Sequence, residues 1–131
     1  MSQKILIVDD EKDVCDALKE PLEHEGFFVK TLSSGKEAIQ ACERREVFDL
    51  ALVDIRLEGK VSGIDVIKAW SEAESKPKIA VISATPYRML KPIFDEQKID
   101  HLIQGFVDKP GDMKPDVLTK KIKDILALRQ D

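Results

Sequence analysis

At 131 residues the chain is long enough to bury one core without disulfide or metal staples. Its 43% apolar and 35% charged residues are ordinary for a globular protein, and a net charge of -4 argues against a nucleic-acid or membrane surface as the main partner. No run reaches the ~18 apolar residues of a membrane span. Met1-Ser2-Gln3 leads straight into a strand-like run, so no signal peptide is expected, and a cytoplasmic setting is. Cys15 and Cys42 are solitary and lie in helix-like segments, which predicts two buried reduced thiols rather than a disulfide.

The first strand is expected over 4–8, where Ile5, Leu6, Ile7 and Val8 form an unbroken apolar run. A helix striped by Val14, Leu18 and Leu22 follows and closes at Gly26, with Pro21 predicting a kink or loosened turn inside it. The second strand is expected over 27–31. Ser34 and Glu37 then read as a capping box for a helix striped by Ala38, Ile39 and Cys42. A third strand over 49–53 precedes a helix from about 62 to 73 whose inner face is Ile64, Ile67 and Trp70. After Pro77 comes a fourth strand, 79–82. Thr85 and Pro86 are placed to open the fourth helix as N-cap and first residue, and Pro92 predicts that this helix bends, breaks or restarts. A fifth strand, 105–107, leads to a helix begun by Lys114-Pro115 and striped by Leu118, Ile122, Ile125 and Leu128.

Strand and helix therefore alternate five times, and the strands "ILIV", "LALV" and "IAVI" are apolar without alternation, as parallel strands covered on both faces are. The expected architecture is α/β, a doubly wound five-stranded parallel sheet of (βα)5 type with strand order 2-1-3-4-5. One domain is expected over 1–131, with no output domain in this chain. In such sheets a ligand site lies beyond the carboxyl ends of the strands, at the switch point between strands 1 and 3.

That rule gives a meaning to the carboxylates crowded after the first strand. Asp9 and Asp10 end strand 1, and Asp54 ends strand 3 in "LALVDIR", so three acids converge on one rim of the sheet. An oxygen-rich site of this kind suits a hard cation, and Mg²⁺ held by one or two carboxylates plus waters fits it. Ser83 closes strand 4 and Lys109 follows strand 5, aimed at the same place. Acids, hydroxyl and ammonium together make a phosphoryl-handling set: a carboxylate nucleophile, a metal, and groups to bind the remaining phosphate oxygens.

Over essentially its whole length the chain resembles the response regulator receiver domains of two-component signalling. "VDDE" supplies Asp9 and Asp10 as the acidic metal pair, Asp54 in "LVDIR" matches the phosphoacceptor, and Ser83 in "VISAT" matches the switch hydroxyl, with small Ala84 after it. Phe106 matches the rotating aromatic of strand 5, and Lys109-Pro110 the lysine with its cis proline bond.

The resemblance implies a flavodoxin-like fold and a phosphoacceptor rather than a conventional enzyme, one that assists its own phosphorylation and dephosphorylation. Asp54 would receive a phosphoryl group from a phosphohistidine of a sensor histidine kinase or phosphotransfer protein, with Mg²⁺ held by Asp10, by Asp9 in part through water, by Asp54 and by the backbone carbonyl of Arg56. Ser83 and Lys109 would contact the phosphoryl group, and Phe106 would follow Ser83. The face built from helix 4, strand 5 and helix 5 would change shape toward a fused output domain or a downstream protein. Arg56 and Thr85 would set the lifetime of the phosphoryl group, Arg56 alternatively pairing with Glu58.

The chain departs from the family in the loop "IRLEGKVSG", which lacks the usual Met-Pro and is longer, and in a longer stretch from Ser83 to Lys109. Three other functions compete. A phosphorylation-independent pseudo-receiver typically loses an acid or the lysine, and none is lost. A Mg²⁺-dependent phosphohydrolase of haloacid-dehalogenase type needs an acid two residues after its nucleophile, where this chain has Arg56. A flavodoxin-type flavin site would need a hydroxyl-rich loop where "DDEKD" would repel phosphate. His24, His101, Trp70, Phe94 and the "KKIK" run at 120–123 read as surface, core and solvated-face residues.

Overall fold

The structure, a computed structural model, describes residues 2–57 and 59–128. Five parallel strands form one sheet in the order β2-β1-β3-β4-β5: β1 (Lys4–Val8), β2 (Phe28–Leu32), β3 (Leu50–Asp54), β4 (Lys78–Ser83) and β5 (Gly105–Asp108). Five α-helices connect and cover them: α1 (Lys12–His24), α2 (Gly35–Glu43), α3 (Gly63–Ser71), α4 (Tyr87–Glu96) and α5 (Pro115–Leu126). Two single 3-10 turns, Asp100–Leu102 and Gly111–Met113, flank β5. The order is the one expected from the sequence.

The continuous apolar strands are explained by two cores. Along β1, Leu6 and Val8 face a layer made by α2, α3 and α4, with Ala38, Ala41, Val66, Ile67, Trp70, Leu90 and Phe94 buried there. Ile5 and Ile7 face the opposite layer, where Cys15, Leu18 and Leu22 of α1 meet Leu118, Ile122 and Ile125 of α5. Successive strand residues point to opposite faces, so every position must be apolar when both faces are dry. Trp70 is fully buried, donates from its indole nitrogen to the Ala38 carbonyl at 3.1 Å, and meets Phe48 edge-on at 5.7 Å.

Several local expectations shift. In α3 Val66 joins Ile67 and Trp70 on the buried face and Ile64 is half-buried; in α2 Ala41 is buried while Ile39 and Cys42 are half-buried. Only Cys15 of the two thiols is fully buried, and both are free. Leu128 lies beyond the end of α5 and is exposed. α1 and α4 run through Pro21 and Pro92 as unbroken helices. The fourth helix starts at Tyr87 with Pro86 in the N-cap position, one residue later than expected. At α2 the Ser34 side chain accepts from the Glu37 N–H, while the Glu37 carboxylate takes the hydroxyls of Ser33 and Ser34; the full reciprocal box forms at α3, between Ser62 and Asp65. The lysines of the "KKIK" run are turned outward to carboxylates, Lys120 to Asp124, Lys121 to Asp112 and Lys123 to Glu25, with Ile122 inward.

Gly63 begins α3 directly against the end of β3. A Cβ there would lie 2.2 Å from the Asp54 carbonyl oxygen and 2.8 Å from the Ile55 Cα, both backbone atoms that have no rotamer to retreat into. Gly63→Ala is therefore expected to lower stability by about 1–3 kcal/mol, the usual cost of overpacking, despite alanine's better helix propensity. A urea midpoint equal to or above that of the unaltered protein would contradict this contact.

Candidate phosphoryl and cation site

The register of the sheet brings the strand ends together. Val8 pairs with Val53, Asp54 with Ile82, and Ser83 with Asp108, so Asp9, Asp54, Ser83 and Lys109 emerge side by side along the carboxyl edge. Backbone bonds hold this edge: Asp9 N–H donates to Leu32 O at 3.1 Å, Ile55 N–H to Ile82 O at 3.3 Å, and Lys109 N–H to Ser83 O at 2.9 Å. The Lys109-Pro110 peptide is cis, as the resemblance implied.

Asp9 is fully buried and Asp54 nearly so. The Lys109 ammonium lies 2.8 Å from Asp9 Oδ2, 3.2 Å from Asp54 Oδ2 and 4.0 Å from Glu11 Oε1. It donates a hydrogen bond to Asp54 Oδ2 and pairs with the buried Asp9 Oδ2. The other oxygens are tied to the backbone: Asp9 Oδ1 accepts from Glu11 N–H and Asp54 Oδ1 from Arg56 N–H, each at 2.9 Å.

These contacts set the titration of the site. Burial raises the Asp54 carboxyl above its ordinary range; the Arg56 N–H opposes this, the Asp9 charge adds to it, and Lys109 opposes it again. For Lys109, burial works to lower the ammonium, but hydrogen bonding and charge from Asp9 and Asp54 outweigh it and hold the pKa above the usual lysine value. Next to the site, burial and then the charges of Asp9 and Asp16 push the Cys15 thiol up to about 11; its Sγ donates to the Asp9 carbonyl at 3.3 Å. A thiol of this kind is protonated and unreactive at neutral pH.

One carboxylate oxygen from each of Asp9, Asp10, Glu11 and Asp54 lies within 4.8 Å of the others. Four acids against one ammonium leave an excess of negative charge. The donor set is oxygen only, which suits a hard divalent cation. Asp9, Asp10 and Asp54 are the acids expected from the sequence; Glu11, read there only as part of the acidic run, reaches the same cluster although 67% of its side chain is exposed. The signal that would have found it is its position, two residues after Asp9 and bonded back to the Asp9 carboxylate.

The remaining expected residues line the rim. Ser83 is buried, and its Oγ accepts from the Thr85 N–H at 2.9 Å. Ala84 is exposed and Thr85 half-buried. The Arg56 side chain is exposed at the mouth, and Glu58, its alternative partner, lies outside the described residues. Phe106 is half-buried, with Tyr87 edge-on against it at 5.7 Å. His24 and His101 are exposed, His24 ending α1 beside a groove of about 520 Å³ formed with the start of α5.

Comparison with known proteins gives the family of the chain. Residues 5–123 match the family model of the response regulator receiver domain. The regulatory protein VanR of Enterococcus faecium is 37% identical over 79 residues, 60% of this chain and 33% of that protein. The transcriptional regulatory protein CpxR of Escherichia coli K12 is 38% identical over 76 residues, 58% of this chain and 32% of that protein. The chain thus spans about a third of the length of these relatives. Among solved structures, a CheY-like receiver domain protein of Methanospirillum hungatei JF-1 superposes with a TM-score of 0.79 at 28% identity, covering 96% of this chain and 94% of that one. A five-stranded parallel sheet with acids, hydroxyl and lysine at its carboxyl edge, matched along nearly all of its length, makes this chain a member of the response regulator receiver domain family.

Proposed function

We propose that Asp54 accepts a phosphoryl group from a phosphohistidine of a sensor histidine kinase or phosphotransfer protein, and that this chain is a phosphorylation switch of a two-component system. The observation that carries the reading is the Lys109 ammonium set between Asp9 Oδ2 and Asp54 Oδ2 at the switch point of the sheet. An Asp54 oxygen forms the new O–P bond as the N–P bond of the donor breaks. The electron pair stays on the imidazole nitrogen, and an acyl phosphate remains on the protein. The Arg56 N–H fixes the rotation of the Asp54 carboxylate, and Lys109 is already within reach of a group added there. The Ser83 hydroxyl is free to give up its bond from Thr85 and turn to a phosphoryl oxygen. Positioning and charge neutralisation then supply the rate, as is general in phosphoryl transfer.

Asp9, Asp10, Asp54 and the Arg56 carbonyl are the proposed holders of Mg²⁺, which when bound offsets charge on the phosphoryl oxygens. Residues 1–131 act as one receiver unit in the cytoplasm, and the output is a fused domain or a separate protein that reads the face of α4, β5 and α5. Phe106 is the proposed aromatic that moves with Ser83.

Intact-mass measurement after incubation with acetyl phosphate and Mg²⁺ tests the acceptor: one added phosphoryl mass is expected in the unaltered protein and none in Asp54→Asn. Equal labelling of the two would remove Asp54 from the role. For the cation, losing one direct ligand is expected to cost at least about as much as losing an outer partner, roughly tenfold in affinity. An NMR titration with Mg²⁺ alone should show that loss in Asp10→Ala, and matching affinities would overturn the ligand assignment.

The third test concerns lifetime. Arg56, two residues after Asp54, has an exposed, long cationic side chain, and Thr85, two residues after Ser83, is half-buried. A guanidinium lying over the acyl phosphate excludes water and contacts its oxygens. Arg56→Ala is expected to hasten loss of the phosphoryl group several-fold after the donor is removed, with Mg²⁺ affinity unchanged because only the backbone carbonyl of Arg56 faces the ion. A half-life as long as the unaltered protein's would leave Thr85 alone in that role.

A further inference from the structure

The stretch between Ser83 and β5 carries a contact network that the phosphoryl chemistry does not use. Tyr87 opens α4, four residues after Ser83. Its ring stands edge-on to Phe106, with centroids 5.7 Å apart and planes at 74°, and tilts against the fully buried Phe94 at 6.2 Å. Its hydroxyl donates to Asp100 Oδ1 at 2.5 Å. Asp100 begins the 3-10 turn that leads into β5, and its other oxygen pairs with Lys91 at 3.4 Å. Lys91 also holds Asp95 at 3.0 Å. One side chain therefore ties the start of α4, the turn before β5 and the aromatic of β5 together.

The route from the phosphoryl site to this side chain is short. The Ser83 Oγ accepts from the Thr85 N–H, Pro86 follows with its φ held by its ring, and Tyr87 is next. Turning the Ser83 hydroxyl away frees the Thr85 N–H, and the stiff Pro86 passes any displacement of the loop to Tyr87. Phe106 cannot rotate without exchanging its edge contact with the Tyr87 ring.

Building on the phosphoacceptor reading, we infer that Tyr87 is a latch on the switch: bonded to Asp100 and packed on Phe106, it holds the resting arrangement of α4 and β5, and release of this bond accompanies rotation of Phe106. Tyr87 is a positioning residue, since it touches neither the phosphoryl group nor the cation. In agreement with a made bond, the Asp100 acceptor raises the Tyr87 phenol above its usual range, and donation from Tyr87 lowers the Asp100 carboxyl.

The test uses Tyr87→Phe, Asp100→Ala and the double variant. Tyr87→Phe removes one oxygen and leaves the ring, and in Asp100→Ala Lys91 keeps Asp95 as a partner. Without any phosphoryl donor, amide exchange is measured at Leu90 and Ile103, whose N–H groups bond to the Pro86 and Asp100 carbonyls. Exchange at both is expected to quicken by about fivefold, the effect of one lost hydrogen bond. The Phe106 ring resonances are expected to move toward their positions in the unaltered protein saturated with beryllofluoride and Mg²⁺. The double variant should show no more than either single one, because all three remove the same bond. Unchanged exchange and Phe106 resonances in Tyr87→Phe, or additive effects in the double variant, would overturn the latch. Acetyl phosphate labelling, run to completion at saturating donor alongside, is expected to reach one phosphoryl group in every variant. Its absence from all of them would count against the phosphoacceptor reading alone, since the exchange measurement needs no phosphorylation.

Discussion

Two buried carboxylates, Asp9 and Asp54, end neighbouring strands and face one ammonium, that of Lys109, at 2.8 and 3.2 Å. Removing a partner from a buried ion pair leaves an uncompensated charge and costs several kcal/mol. The site therefore depends on Lys109 being delivered from the far edge of the sheet. Lys109 follows β5, two strands away from β3, and its main chain is bonded to the Ser83 carbonyl. Parallel register across β1, β3, β4 and β5 is thus a requirement of the electrostatics as much as of the core.

The charge balance at this rim is uneven. Lys109 is shared among three acids, at 2.8 Å from Asp9, 3.2 Å from Asp54 and 4.0 Å from Glu11. The acids that crowd the start of the chain are tolerated because Lys109 offsets part of their charge and because Glu11 opens to solvent. On the proposed chemistry the remaining deficit is what a hard divalent ion makes up.

The two sides of the sheet play different parts. On one, α1 and α5 pack Cys15, Leu18, Leu22, Leu118 and Ile122 into a layer with little polar content. On the other, α3 begins at Gly63 in contact with the Asp54 backbone, and α4 begins three residues beyond Ala84 with no side-chain cap. The helices that begin nearest Asp54 and Ser83 are therefore α3 and α4.

The alternation of apolar runs with helical stripes was enough to place five strands, their order and the rim where Asp9, Asp10, Asp54, Ser83 and Lys109 meet. Continuous apolar runs report burial on both faces, and residues at strand ends inherit their position from the topology. Helix faces were read less well: Val66 and Ala41 are buried where Ile64 and Cys42 were expected, because the crossing angle of a helix over the sheet selects among apolar residues that share a stripe. The continuity of α1 and α4 through Pro21 and Pro92 was likewise decided by tertiary packing, which outweighs local preference when neighbouring turns are anchored in a core. Glu11 and Tyr87 show the limit most clearly. Glu11 comes within reach of the Asp54 carboxylate and of Lys109 only in the fold, and Tyr87 meets Asp100 and Phe106 across 13 and 19 positions of chain. Residue types and strand ends are properties of the sequence, whereas pairings between side chains so far apart exist only once the sheet has set its register.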